Sequence, residues 1–343
     1  MNTAAALPHD VPLAELHAHI STSISPTILW QIAHESGFKL PKAEFAEFRD
    51  HIMLSPARAV PLNTYFRTVY DALLQPLSSG SRTLQQATYY AMSGAYHKQH
   101  ITHMELRTNP MKHNGNGQFD LDHVIMSVLH GMERALLECR GLSAGLLFSM
   151  ARDFPIAKNA IILDKAIKYH QRGVVGIDVS GPGTDTFNFK DYTPLFRKAH
   201  RAGLGVTVHT GEAQDANDMW EALEYAKPQR IGHGIRAAYD VPLMRELARR
   251  KVVLEICPMS NIATKSVQDQ AEMKHILRTL LAHKVRFCIN TDWPEIIEGC
   301  RLRHQMQWLL SEGLLTRREI LACNRTAFEA SFIPKPGGLD VYL

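Results

Sequence analysis

Eight short apolar or β-branched runs punctuate this 343-residue chain, at residues 12–16, 101–106, 144–148, 174–179, 205–208, 230–231, 252–256 and 285–290. Most are separated by segments long enough for a helix. Several of those segments carry helical spacing: Leu163, Ile167 and His170; Leu195, Phe196 and Ala199; Leu243, Leu247 and Ala248. Strand alternating with helix builds a parallel sheet. Eight such units in a chain of this length predict an α/β fold of the (β/α)8 TIM-barrel type rather than an open doubly wound sheet. No G-x-G-x-x-G follows a strand, and the Gly181-Pro182-Gly183 turn lacks both a third glycine and a phosphate-cradling lysine, so dinucleotide binding is not expected.

The spacing is uneven once. About 80 residues separate the first run from the second, with helical patterns at 26–35, 63–74 and 84–97, so residues 25–98 read as a helical insertion over the barrel mouth. Within it Met53, Leu54, Tyr65, Phe66 and Tyr70 read as plain core rather than as a pocket roof, since apolar residues at helical spacing usually pack inward. No linker, repeat or low-complexity stretch divides the chain, so residues 1–343 read as one domain, with 334–338 as a tail.

Composition bounds the function. With 45% hydrophobic and 21% charged residues the chain can bury a large core. The 38 basic and 34 acidic residues leave a net charge of +4 without a dense basic run, which argues against a nucleic-acid polymer as partner and for a small diffusible ligand. Five cysteines, never paired as C-x-x-C, argue against a disulfide framework and a thiolate zinc site. No stretch reaches the roughly 20 apolar residues of a membrane span, and no secretory leader pattern opens the chain; a cytoplasmic protein is expected.

Histidine is the unusual component, 18 residues, several of them at the ends of the apolar runs. Catalytic groups of a (β/α)8 barrel sit at the C-terminal ends of its strands. The first run closes with His17-Ala18-His19, and residues two apart on a strand project to one side, so both imidazoles can reach one metal ion. The fifth closes with His209-Thr210-Gly211-Glu212, the sixth runs into Gly232-His233-Gly234, and the eighth into Asn290-Thr291-Asp292-Trp293. Each alone has a bland reading: loop histidines, a first-turn carboxylate at Glu212, a turn at His233, a helix N-cap at Asp292. Their joint placement at successive strand ends selects a metal-dependent hydrolase.

The motifs together resemble the adenosine deaminase branch of the amidohydrolase superfamily over essentially the whole chain. They comprise Glu15-Leu16-His17-Ala18-His19, Glu105-Leu106-Arg107, Ile177-Asp178 with Gly181, the H-x-G-E of His209 to Glu212, Arg230-Ile231-Gly232-His233-Gly234, the run from Glu255 to Asn261, and Asn290-Thr291-Asp292. The resemblance implies one zinc ion per subunit on His17, His19, His209 and Asp292. Binuclear relatives in the superfamily usually carry a lysine at the end of the fourth strand, which here reads Asp178-Val179-Ser180-Gly181. It also implies Glu212 as the acid that protonates the ring nitrogen of an aminopurine, His233 as the group that orients the attacking oxygen, Asp292 as proton acceptor, and Gly181 against the ring edge, where only glycine leaves room. Cytidine-type deaminases are excluded: His103-Met104-Glu105 matches their H-x-E, but no P-C-x-x-C exists.

Two positions depart from the family pattern, both on the substrate side. Trp293 stands where the family has a second aspartate that meets the purine imidazole nitrogen. Ile20-Ser21-Thr22 replaces Leu-Asp-Gly, so Ser21 takes the place of a ribose-contacting aspartate. The expected function is thus hydrolytic deamination of an adenosine-like aminopurine, nucleoside or base, with Trp293 and Ser21 on the substrate. The alternatives are another amino- or alkylamino-heterocycle and, from a different class, a non-catalytic binding protein.

Overall fold

The computed structural model describes residues 7–55, 58–117, 120–184 and 187–334; residues 335–338 of the tail reading lie outside them. All eight runs form strands: β1 (Leu13–His19), β2 (Ile101–Thr108), β3 (Ser143–Ala151), β4 (Val174–Ser180), β5 (Gly205–Thr210), β6 (Arg230–His233), β7 (Val253–Ile256) and β8 (Arg286–Ile289). They pair in parallel and in chain order. Closure between β8 and β1 comes just beyond β8: the Asp292 N–H donates to the His17 carbonyl (2.7 Å), and the Leu16 N–H donates to Asn290 Oδ1 (3.0 Å). The result is the expected (β/α)8 barrel.

Apolar side chains such as Phe148, Ile177, Val208, Ile231 and Leu254 are fully buried between strands and helices. The barrel interior is different. Arg107, Arg230, Glu105 and Glu255 are all fully buried there, with Arg230 bonded to Glu105 and, through Nε at 2.6 Å, to Glu255. Arg107 pairs with Glu255 as well. Opposite charges that share hydrogen bonds offset the cost of leaving water, so this ladder stands where most barrels place aliphatic layers.

Between β1 and β2 the chain makes helices at Pro26–Glu35, Phe45–Ile52, Leu62–Tyr65, Phe66–Leu74, Gln75–Leu77 and Ser81–Gln99. The segment Phe66–Leu74 is wound as a π-helix, a geometry often found at functional sites. Its Phe66 and Tyr70 line the cavity at the barrel mouth, which corrects their reading as core. Tyr65 and Leu54 are buried, as that reading expected. Helical spacing alone does not distinguish a face that meets protein from one that meets a cavity.

Candidate active site

The end of β1 brings His17 and His19 beside His209 from β5. Glu255 Oε2 accepts from His17 Nδ1 (2.7 Å), and Asp178 Oδ1 accepts from His209 Nδ1 (3.0 Å). Each carboxylate thereby fixes the ring and leaves Nε2 as the free, lone-pair nitrogen. His17 Nε2 is buried without a partner. His19 Nε2 lies 3.2 Å from His209 Nε2, and Asp292 Oδ1 lies 3.3 Å from His19 Nε2 and 3.7 Å from His17 Nε2. Donor atoms about 2.0–2.1 Å from one tetrahedral zinc stand roughly 3.3 Å apart, so the four side chains fit such an ion. Gly232 makes the room: a Cβ there would lie 2.7 Å from His17 Cε1 and 3.3 Å from His209 Nδ1.

The electrostatics suit a cation. Burial, then the positive charge of Arg107, holds His17 well below the ordinary imidazole value, and burial also lowers His19, so both stay neutral. Burial alone would raise the Asp178 carboxyl, but His209 and Arg107 beside it hold it below the usual range.

Opposite the histidines stand the acid-base groups. Gly211, at φ +66°, turns the chain after β5 and delivers Glu212 to the cavity. Glu212 Oε1 accepts from Asn261 Nδ2 (3.1 Å) and Ser266 Oγ (3.3 Å), and Oε2 lies 3.4 Å from His233 Nε2. Burial raises its pKa above the carboxylate norm despite those bonds. Asn261 also bonds His233 Nδ1 at 3.0 Å. His233 and Asp292 both hold positive φ, 61° and 62°, a region that non-glycine residues visit rarely and that clusters at functional sites. Asp292 is locked there by its bridge to β1 and by Ser260 Oγ, which donates to Oδ2 at 2.6 Å.

His17, His19, His209, Asp292, Glu212 and His233 are thus brought together. Gly181 and Trp293 line the same cavity, of about 320 Å3. Ser21 does not: it is fully buried, with Oγ 2.8 Å from Ser78 Oγ and in hydrogen-bonding contact with the Tyr70 hydroxyl. It supports the aromatic wall from behind. Gly181 holds φ +102°, which favours glycine, and a Cβ there would meet no protein atom nearer than Asp153 Oδ1 at 3.6 Å, so the side facing the cavity is open. Trp293 is 2% exposed, with its ring 5.0 Å from Tyr65, 5.7 Å from Phe66 and 6.4 Å from Tyr70.

Arg107, Asp178, Glu255, Ser260 and Asn261 stand within the motifs, where the sequence alone assigns them no role. One signal was available: Glu105 and Arg107, like Glu15 and His17, alternate with period two, so each pair shares the inner face of its strand.

A (β/α)8 barrel with a His/His/His/Asp cluster and an acid at its C-terminal mouth defines a hydrolase of the amidohydrolase type. The chain belongs to the adenosine deaminase family, whose family model matches residues 12–341, and is accordingly a hydrolytic C–N deaminase. It is 28% identical over 331 residues to the adenosine deaminase of Shewanella denitrificans, covering 94% of this chain and 95% of that one. The fold is shared with the adenine deaminase of Arthrobacter aurescens (TM-score 0.82, 23% identity, 94% of each chain). It is shared too with an amidohydrolase from Burkholderia ambifaria solved with bound zinc (TM-score 0.80, 20% identity, 95% of this chain and 87% of that one). No helix among the described residues is long and apolar enough to cross a membrane.

Proposed function

We propose that this protein deaminates an adenosine-like aminopurine, with His17, His19, His209 and Asp292 as ligands of one zinc ion and Glu212 as the general acid. The observation that carries the reading is the convergence of three histidine Nε2 atoms and Asp292 Oδ1 on one cavity wall, 3.2–3.7 Å apart in the pairs given above, with a buried carboxyl facing them. The zinc found in the Burkholderia amidohydrolase supports the choice of ion. When bound, zinc lowers the pKa of a water toward about 7 and so supplies a nucleophile at neutral pH.

The protein's own groups manage the protons. Attack of water oxygen on C6 of the purine breaks aromaticity, and the negative charge flows to N1. Glu212, whose pKa burial raises, gives its proton to N1 as the C6–O bond forms. Asp292 accepts the proton that the water loses and passes it to the departing amino group. The C6–N bond then breaks, ammonia leaves, and the remaining hydroxyl proton returns to Glu212, which leaves a C6 carbonyl and an N1–H. His233 stays neutral, since burial pushes it down to about 4, and it orients the attacking oxygen by hydrogen bonding rather than by charge. Asn261, tied to both Glu212 and His233, holds acid and orienting group at a fixed separation.

Trp293 borders the cavity where the family pattern has a carboxylate, so the purine meets an aromatic side chain there in place of a charged acceptor. The test is ammonia release across adenosine, deoxyadenosine, adenine, N6-methyladenosine, aminopterins and aminopyrimidines, with Glu212→Gln as the blank. Turnover of an aminopurine at a kcat/KM of about 10⁴ M⁻¹s⁻¹ or more supports the reading. Ammonia from none of these, in zinc-replete protein, removes it.

A further inference from the structure

Behind the general acid stands a cation that no step of the reaction uses. Arg236 follows β6 in the turn Ile235–Tyr239 and lines a shallow depression at the barrel rim, with Gln214, Tyr239 and Glu272, rather than the catalytic cavity. Its backbone N–H donates to the Gly211 carbonyl (3.0 Å), and its guanidinium Nη2 donates to the Ser266 carbonyl (3.0 Å). One residue thus ties the turn that carries Glu212 to the loop that carries Ser266, whose hydroxyl lies 3.3 Å from Glu212 Oε1.

The loop is bent to make that contact. Lys265 holds φ +60°, in the left-handed region that non-glycine residues visit rarely, and the Val267 N–H returns to the Asn261 carbonyl at 2.9 Å. Such a conformation persists where surrounding bonds over-determine it, and the Arg236 bond to the Ser266 carbonyl is one of them. Ser266 can serve both states of the acid. Its hydroxyl donates to the ionised carboxylate. When Glu212 carries its proton, the carboxyl donates to Ser266 Oγ, whose own proton then turns to Thr264 Oγ1 at 3.2 Å. Thr264 is free to accept it, because its hydroxyl donates to the Ser260 carbonyl (2.9 Å). Asn261 Nδ2 only donates, so it cannot follow the proton in this way.

Charge acts at the same place. Burial raises Glu212, while His209, the bonds from Ser266 and Asn261, and the charge of Arg236 oppose that rise. The other titratable groups that face it are His233 at the end of β6, 3.4 Å away, and Asp292 beyond β8. Of these groups Arg236 alone keeps a positive charge at every working pH. Glu272, the acid in the field of Arg236, is taken up by the Tyr239 hydroxyl (2.6 Å) and the Gln268 N–H (2.6 Å). We propose that Arg236 is a positioning residue for the general acid: by clamping the Gly211 turn to the Ser266 loop, its guanidinium holds the Glu212 carboxyl against Ser266 in both protonation states. Once Glu212 has given its proton to the ring nitrogen, the cation behind it also stabilises the ionised carboxylate. The inference rests on the reading of Glu212 as the acid and adds a residue to it.

Infrared difference titration of the zinc-loaded protein reads Glu212 without turnover, as the protonated-carboxyl band that Glu212→Gln removes; the alkaline limb of kcat/KM reads the same group in turnover. Arg236→Met should raise both midpoints by about half to one pH unit, because the ionised carboxylate loses a favourable charge, and Arg236→Lys should return them toward wild type. Ser266→Ala should displace the carboxyl band and lower kcat about two- to tenfold with KM little changed. If Arg236→Met does not fold, Ser266→Ala and Arg236→Lys carry the test. Equal midpoints in wild type and Arg236→Met, a shift that Arg236→Lys does not reverse, or a Ser266→Ala protein indistinguishable from wild type would overturn the proposal. An alkaline limb that persists in Glu212→Gln would instead count against Glu212 as the acid, and the infrared titration would still decide whether Arg236 acts on that carboxyl.

Discussion

The floor of the cavity and its aromatic wall obey different constraints. On the floor, most of the converging side chains have a buried partner that fixes ring or oxygen: Glu255 for His17, Asp178 for His209, Ser260 for Asp292, Asn261 for Glu212 and His233. On the wall, Phe66 and Tyr70 from the π-wound segment and Trp293 beyond β8 meet through ring faces and edges. A carboxylate–histidine bond has one productive geometry. Ring packing has many. The comparison teaches that the chemistry is held by a network in which one change leaves a buried charge or an unpaired donor, whereas the wall can take a substitution and repack.

Substitutions should separate the two regions. The largest effect is expected from Glu212→Gln, which keeps the shape and removes the acidic proton: kcat should fall about 10²–10⁴-fold with KM little changed, as steady-state kinetics will show. Arg230→Met leaves Glu105 without its partner in the barrel interior and should cost about 3–5 kcal/mol in denaturant unfolding, whereas a wall substitution such as Phe66→Leu should cost less. Asp178→Ala removes the acceptor that sets the His209 tautomer and should weaken zinc affinity about 10–100-fold in chelator competition.

The pH profile sharpens the same contrast. Glu212 is needed in its protonated form and burial raises its pKa, so on the alkaline side kcat/KM should fall about tenfold per unit once pH passes that raised value; on the acid side it should fall as well, because Asp292 and the histidine ligands work only when deprotonated. The smallest effect is expected on the wall: Trp293→Phe should shift KM by only a few-fold with kcat retained, measured on whichever aminopurine is turned over fastest.

The floor was the more legible region from sequence, for a physical reason. Strand period two puts His17 and His19 on one side whatever the surroundings, and strand ends converge in any (β/α)8 barrel, so His209, His233 and Asp292 follow from placement alone. The roles of Glu255, Asp178 and Asn261 did not follow, because each depends on which strand end lies opposite, a tertiary fact without a local pattern. Its position after His19 points Ser21 at the substrate, but packing of the insertion sets its hydroxyl against Ser78. Phe66 and Tyr70 share a periodicity that is the same for a buried face and for the cavity wall on which they stand.

The central claim is that one zinc ion on His17, His19, His209 and Asp292 is required for the reaction. Stripping the protein with a chelator and titrating zinc back while following ammonia release from an aminopurine substrate tests it most directly. Activity should be absent in the stripped protein, rise linearly to one equivalent per chain and then stay flat. Full activity in the stripped protein, or a rise that continues to two equivalents, would contradict it.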